Sequence, residues 1–230
     1  DKLRRFAVEW IAATAEGSGS MCRKLGNNAY TRDTLPMLLS MMMADVDNLV
    51  GDVAAWEKRG ESGANGSYGD DSDITNFDVA LSSIERIGRA IGAKRFVPTL
   101  FEILGQYMTN PDWRCRFVAL MVLGCTAETI PSEYLDPLMQ QLTPFFNAQA
   151  PEGTDPRVRC AACDVIGELS LEGAHAHIFQ AGHHSVVIQI LHTLLSDPSS
   201  ARVQSRAAAA LIVFLEACEE EYVLPHLQGL

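Results

Sequence analysis

The stretch 155–167, Asp155-Pro156-Arg157-Val158-Arg159-Cys160-Ala161-Ala162-Cys163-Asp164-Val165-Ile166-Gly167, recurs along the chain at fixed offsets. That recurrence restricts the fold more than any other feature. With Arg159 as the reference column, a capping residue stands four places earlier, a small residue three later and an aliphatic one seven later: Asp155, Ala162 and Ile166. The same offsets appear around Arg116 (Asp112, Ala119, Leu123) and Gln204 (Ser200, Ala207, Leu211), with a weaker copy around Ala80 (Asn76, Ser83, Ile87). The period runs from about 36 to about 45 residues, the range of helical-pair solenoids.

Asn, Asp and Ser carry side-chain oxygens that accept from the orphan amides of a first helical turn. Pro156 falls at the first helical position, where a missing N–H is no loss. Each copy therefore reads as the start of a helix, here termed B, whose small and aliphatic columns form one buried stripe. A second set, termed A, is marked by proline before an apolar run: Leu35-Pro36-Met37-Leu38, Val97-Pro98-Thr99-Leu100, Asp136-Pro137-Leu138-Met139 and Leu224-Pro225-His226-Leu227. The spacing predicts B helices at about 1–15, 77–91, 113–128, 156–171 and 201–219. A helices are expected at about 33–44, 95–109, 133–147 (shortened by Pro144), 183–196 and from 222. No run shows the period-two alternation of a strand. The expected class is all-α, one array over residues 1–230 of about four repeats plus partial end repeats. Because residues 1–15 already read as a B helix and the last A helix has just begun at the end, the chain reads as a piece of a longer array with apolar stacking faces at both ends.

Residues 45–75 break the rhythm. Between 45 and 73 there are eight carboxylates against Lys58 and Arg59, a net of −6 within a chain total of −11. Glycine and serine at 60–69 rule out one continuous helix, so the reading is a mobile acidic insertion with Trp56 as an anchor at one end. A segment of this length is either functional or a solvated loop. The acidic balance, with a pI near 4.9, disfavours nucleic acid and anionic lipid and favours basic partners. No apolar run reaches the roughly 20 residues needed to span a bilayer.

Chemistry is harder to find. The sequence has no nucleophile elbow, phosphate loop or dinucleotide fingerprint, so neither catalysis nor a cofactor is expected. Cys160 and Cys163 form a CxxC, but a zinc site needs a second pair and a redox motif needs a preceding strand; they read as core residues. His175, His177, His183 and His184 cluster around an expected loop without the i, i+4 spacing of a helical metal pair, and read as solvated rather than as ligands. Met41, Met42 and Met43 read as core filling. One stripe stands out: Asp164, Glu168 and Glu172 lie four apart on one helix face, away from Val165, Ile166 and Leu169. Like charges at that spacing cost a helix about 0.2–0.5 kcal/mol per pair. Two readings follow, a face awaiting a basic partner or a merely wet one.

The succession Asn110-Pro111-Asp112-Trp113-Arg114, then Asp155 to Cys163, then Arg202-Val203-Gln204-Ser205-Arg206-Ala207-Ala208-Ala209-Ala210-Leu211-Ile212, preceded by Ile84 to Lys94, resembles consecutive HEAT repeats of importin-β nuclear transport receptors of the β-3 type. The resemblance implies an α-solenoid of antiparallel helix pairs in a right-handed superhelix, with B helices lining a concave face. It implies a karyopherin that carries basic or lysine-containing cargo, binds phenylalanine-glycine nucleoporins and Ran-GTP, and shuttles between cytoplasm and nucleus. Asp164, Glu168 and Glu172 would then meet cargo or Ran, and Asp70, Asp71 and Asp73 occupy the place of the family's acidic loop. The departures are a glycine- and serine-rich loop poorer in charge than the family's, and aspartate at 164 where asparagine is expected. A HEAT scaffold of another complex, such as a phosphatase, shares the repeat physics without these partners.

Overall fold

Every regular element that the structure describes is a helix, and the starts of the B helices show why. The structure, a computed structural model, describes residues 2–61, 74–171 and 175–226. They divide into two units, Asp1–Thr129 and Ile130–Leu230.

The first unit contains α1 (Lys2–Cys22), α2 (Ala29–Val50), α3 (Val53–Glu61), α4 (Asn76–Ile91), α5 (Ala93–Met108) and α6 (Trp113–Cys125). The B helices α1, α4 and α6 pack in one row, with α4 between the other two, and the A helices α2 and α5 pack against that row and each other. Asp112 caps α6 by accepting from the Arg114 amide. At α4 the capping residue is Thr75, not Asn76: the Thr75 side chain accepts from the Asp78 amide and Asp78 returns the bond to Thr75. Asn76 instead accepts from Arg5 of α1 through its Oδ1 at 2.9 Å. The small and aliphatic columns, Ser83, Ala119, Ile87 and Leu123, are buried as expected. Phe77 and Phe117 join α4 to α6 with ring centroids 6.1 Å apart.

The A helices begin earlier than their prolines indicated. Pro36 and Pro98 lie inside α2 and α5 rather than at their starts. Gly17-Ser18-Gly19 kinks α1 at Ser18 instead of ending it. Helix α2 also continues six residues past 44, because Val46, Leu49 and Val50 extend its buried stripe. Carboxylates first read as part of an insertion are used locally there. Asp45 Oδ2 accepts the Asn76 and Phe77 amides at 3.1 and 3.3 Å, a second cap for α4, and Asp52 accepts from the Ala55 amide. Trp56 is fully buried, which docks α3.

The second unit contains α7 (Leu135–Leu142), α8 (Pro156–Ser170), α9 (Ala176–Leu194), α10 (Ala201–Ala217) and α11 (Glu220–Val223). The B helices α8 and α10 pack side by side, and α9 packs on both. Asp155 caps α8 and Ser200 caps α10 through the Arg157 and Val203 amides. Helix α7 stops at Leu142 and Thr143–Phe146 continues as a 3-10 turn, because Pro144 lacks the amide for another α-helical bond. Ala162, Ile166, Ala207 and Leu211 are buried, and Phe179 meets Phe214 edge-on at 6.2 Å.

Candidate functional site

The B-helix rows are built by columns, so a residue type repeated at one offset repeats on one face. Five places after the reference column stand Glu9 on α1, Glu85 on α4 and Asp164 on α8, while α6 has Met121 and α10 has Ala209. Only Asp164 was picked out from sequence. Glu9 and Glu85 were missed because they form no i, i+4 stripe within their own helices; their signal lies between helices, in the shared offset.

In each unit these carboxylates are answered by arginine. Arg86 of α4 reaches across to α1, donating to Glu9 at 2.7 Å and to both oxygens of Glu16 at 2.8 and 2.7 Å. These bonds, Glu16's first, hold the Arg86 guanidinium's pKa above its ordinary value, and Arg86 in turn holds the Glu16 carboxyl below the usual range. Arg89 pairs with Glu85 at 2.9 Å and Glu128 at 2.8 Å. In the second unit Arg206 of α10 pairs with Asp164 of α8 at 3.1 Å, both side chains a quarter exposed. A cationic ligand at this column therefore meets a carboxylate that already holds a resident guanidinium. Glu168 is exposed on α8. Glu172 lies outside the described residues, as do Asp70, Asp71 and Asp73.

Behind the Asp164 column the reference arginine is fully engaged. Arg159 donates from Nε to Asp197 Oδ2 at 3.0 Å, from Nη1 to the Gly153 and Thr154 carbonyls, and from Nη2 to Ser199 Oγ. Gln204, the next copy of the column, donates to the Asp197 carbonyl at 2.8 Å. The column thus reaches into the turns that precede B helices, which offset patterns alone did not reveal; the recurrent Asn-Pro and Asp-Pro at 110, 155 and 197 marked those turns.

The remaining candidates take structural places. Burial, followed by Cys160 and Asp164, pushes the Cys163 thiol well up, and Cys160 Sγ donates to the Arg202 carbonyl at 3.6 Å. The Cys163 thiol is therefore not poised as a thiolate. His183 and His184, expected at the edge of a loop where an A helix begins, lie well inside α9, which starts seven residues earlier than predicted. His183 sits 3.1 Å from Asp136 and His184 stacks on Tyr222 at 4.9 Å. Among the described residues no three His, Cys, Asp or Glu side chains gather for a metal ion, and no helix is long and apolar enough to cross a membrane. A mostly apolar cleft of about 530 Å³ opens between the end of α7 and the last turns of α9, lined by Phe146, Ala148, Ile190 and Leu194 among others.

Known proteins resemble the chain in both sequence and fold. The family described as "Importin repeat" matches residues 1–98. Importin subunit beta-3 of Saccharomyces cerevisiae is 28% identical over 229 residues, 99% of this chain and 20% of that relative. Structures of Kap121p bound to RanGTP, to Pho4p and to Nup53p superpose on 98% of the chain with TM-scores of 0.80, 0.77 and 0.79 at 25–26% identity. The chain spans about a fifth of the length of these relatives. The fold is the all-α HEAT-repeat fold of these structures, and over nearly its whole length the chain is similar to importin-β nuclear transport receptors.

Proposed function

We propose that the chain acts as part of a nuclear import receptor that binds basic cargo reversibly on its B-helix face and performs no chemistry. The observation that supports this is the recurrence of a carboxylate at one offset in the B helices, Glu9 and Glu85 in the first unit and Asp164 in the second, where Glu168 adds an exposed carboxylate one turn further along α8. Kap121p has been solved with RanGTP and with Pho4p; by the same family logic Ran-GTP competes for this receptor and displaces cargo. Differential affinity for two curvatures of the array is the means by which one partner expels another. The acidic loop residues Asp70, Asp71 and Asp73 would take part in the Ran step. The apolar cleft between α7 and α9 has the size and lining to accept phenylalanine rings of nucleoporin repeats. The receptor then shuttles between cytoplasm and nucleus.

Resident arginines set the terms of cargo binding. A lysine arriving at Asp164 competes with Arg206, so removing that guanidinium exposes the carboxylate. Fluorescence anisotropy with a labelled lysine-rich signal peptide tests the reading. Glu168→Lys is expected to weaken binding about tenfold or more, and Arg206→Ala to tighten it several-fold. Affinity in every case falls as salt rises. Binding that ignores both substitutions and stays flat with salt would remove the B-helix face from the account.

A further inference from the structure

Carboxylates outnumber basic residues 29 to 18 in this chain, so an exposed cation without an ionic partner stands out. Arg32, Arg86, Arg89 and Arg114 of the first unit all have carboxylates within 2.9 Å. At the edge where its B helices end and its A helices begin, four cations do not: Arg23 and Lys24 after α1, and Lys94 and Arg95 at the start of α5. All four are exposed, and none forms an ion pair among the described residues.

They are brought together by neutral contacts. Arg23 Nη1 donates to the Ala90 carbonyl, near the end of α4, at 2.7 Å. Lys94 and Arg95 follow only a few residues later, and Arg95 Nη1 donates back to Asn28 Oδ1 at 3.1 Å, closing the loop towards Lys24. The backbone is shaped for this convergence. Asn27 and Asn28 take left-handed φ values of 55° and 52°, and Gly92 takes φ 81°. An alanine at Gly19 would place Cβ 2.8 Å from the Ala90 carbonyl oxygen, so the Arg23 turn is held close against the end of α4. Two of the guanidiniums are thus positioned by acceptors that leave their charge uncompensated, which lowers the entropy lost when an anion binds.

We propose that this edge is a docking surface for a short acidic peptide segment, separate from the B-helix face and opposite to it in charge. Four exposed cations along one edge fit two or three neighbouring carboxylates, with Arg23 and Arg95 offering forked donors and the two lysines point charges. An extended polyanion is disfavoured, since the chain's net −11 repels it beyond the patch. The inference does not depend on basic cargo binding at Asp164.

The test uses the protein with a fluorescein-labelled peptide carrying a run of glutamates, read by anisotropy at low and moderate salt. Lys24→Glu with Lys94→Glu, two lysines whose side chains make no hydrogen bond or ion pair among the described residues, is expected to weaken binding at least tenfold with an unchanged circular dichroism spectrum. Arg206→Ala is expected to leave this peptide's affinity unaltered. Wild-type protein that fails to bind the peptide, or binds it equally well after the double reversal, overturns the proposal. So does tighter binding to single-stranded RNA or phosphatidylserine vesicles that is lost in the same variant while the peptide stays unbound.

Discussion

Neighbouring helices of the first unit are tied by ion pairs that water reaches, whereas those of the second have, besides the quarter-exposed Arg206–Asp164 pair, a clamp that water does not reach. Arg86 and its partners Glu9 and Glu16 are 27%, 56% and 44% exposed at the side chain, and Arg114 with Asp47 is 37% and 62%. In the second unit Arg159 and Asp197 are 1% and 5% exposed. The reference column explains the difference. At α4 it holds Ala80, which only packs, so the tie to α1 is made by Arg86 at the surface. At α8 it holds Arg159, long enough to fold inward and gather the turn before α10. Exposed pairs contribute little at equilibrium, and buried ones are costly to break on one side. The first unit is therefore built to shift its helices at small cost, the second to keep the register of α8 against α10.

The sharpest way to break this contrast is at the clamp. Arg159→Ala leaves Asp197 buried without its guanidinium and the Gly153 carbonyl without its donor. A loss of about 3–5 kcal/mol is expected, read by denaturant unfolding with hydrogen exchange assigned to α8 and α10. Arg86→Ala, by the same measurement on α1 and α4, should cost no more than about 1 kcal/mol and nothing further in high salt. Comparable costs for the two would erase the distinction.

Glycine offers a second comparison. An added Cβ at Gly153 would run into the backbone carbonyls of Phe145 and Asn147, whereas at Gly88 it would meet only the Phe96 ring, at 2.9 Å. Backbone cannot swing aside as a ring can. Gly153→Ala is expected to cost about 1–3 kcal/mol and Gly88→Ala less, measured as paired shifts in the unfolding midpoint. The Gly153 variant should also loosen the Arg159 clamp, since Gly153 supplies one of its acceptors.

Much of this architecture could be read in advance because caps and columns are local. Asp112, Asp155 and Ser200, Ala119, Ala162 and Ala207 all do what their offsets said. The failures have physical causes. Asn76 looked like a cap because Thr75 and Asn76 are both competent, and only the reciprocal bond from Asp78 decides. Pro36 and Pro98 misplaced the A-helix starts, since a proline six or eight residues in is tolerated where a buried stripe runs past it. Asp45 and Asp47 were counted with an acidic insertion because charge was read without geometry, yet one caps α4 and the other holds Arg114. The candidate site was legible only in part. Asp164 was singled out by its stripe, but no pattern within α8 could reveal that Arg206, in the next repeat of the sequence, already pairs with it.

Caps allow a finer test. Thr75→Ala removes the side-chain acceptor at α4, but Asp45 still accepts the Asn76 and Phe77 amides. Asp155→Ala removes the acceptor at α8 together with the partner of Arg157, a pair 14% and 6% exposed. Cap losses run from about 0.5 to 2 kcal/mol. Thr75→Ala should fall at the low end and Asp155→Ala at or above the high end, by thermal unfolding of each variant.

The smallest effect expected is one of pH, and it belongs to the exposed tie alone. Arg86 depresses the Glu16 carboxyl below its ordinary 4.5, so the unfolded chain takes up that proton at a higher pH than the folded one. The stabilisation is therefore complete above about 4.5 and is lost as pH falls through the depressed folded value. Protection of α1 amides against exchange should decline over that acid range, and Glu16→Gln should flatten the decline without altering protection at neutral pH by more than a small factor. An unchanged acid slope in the Gln variant would mean that Arg86 gains nothing from Glu16 that Glu9 does not already supply, and that the pH dependence of this row comes from other groups.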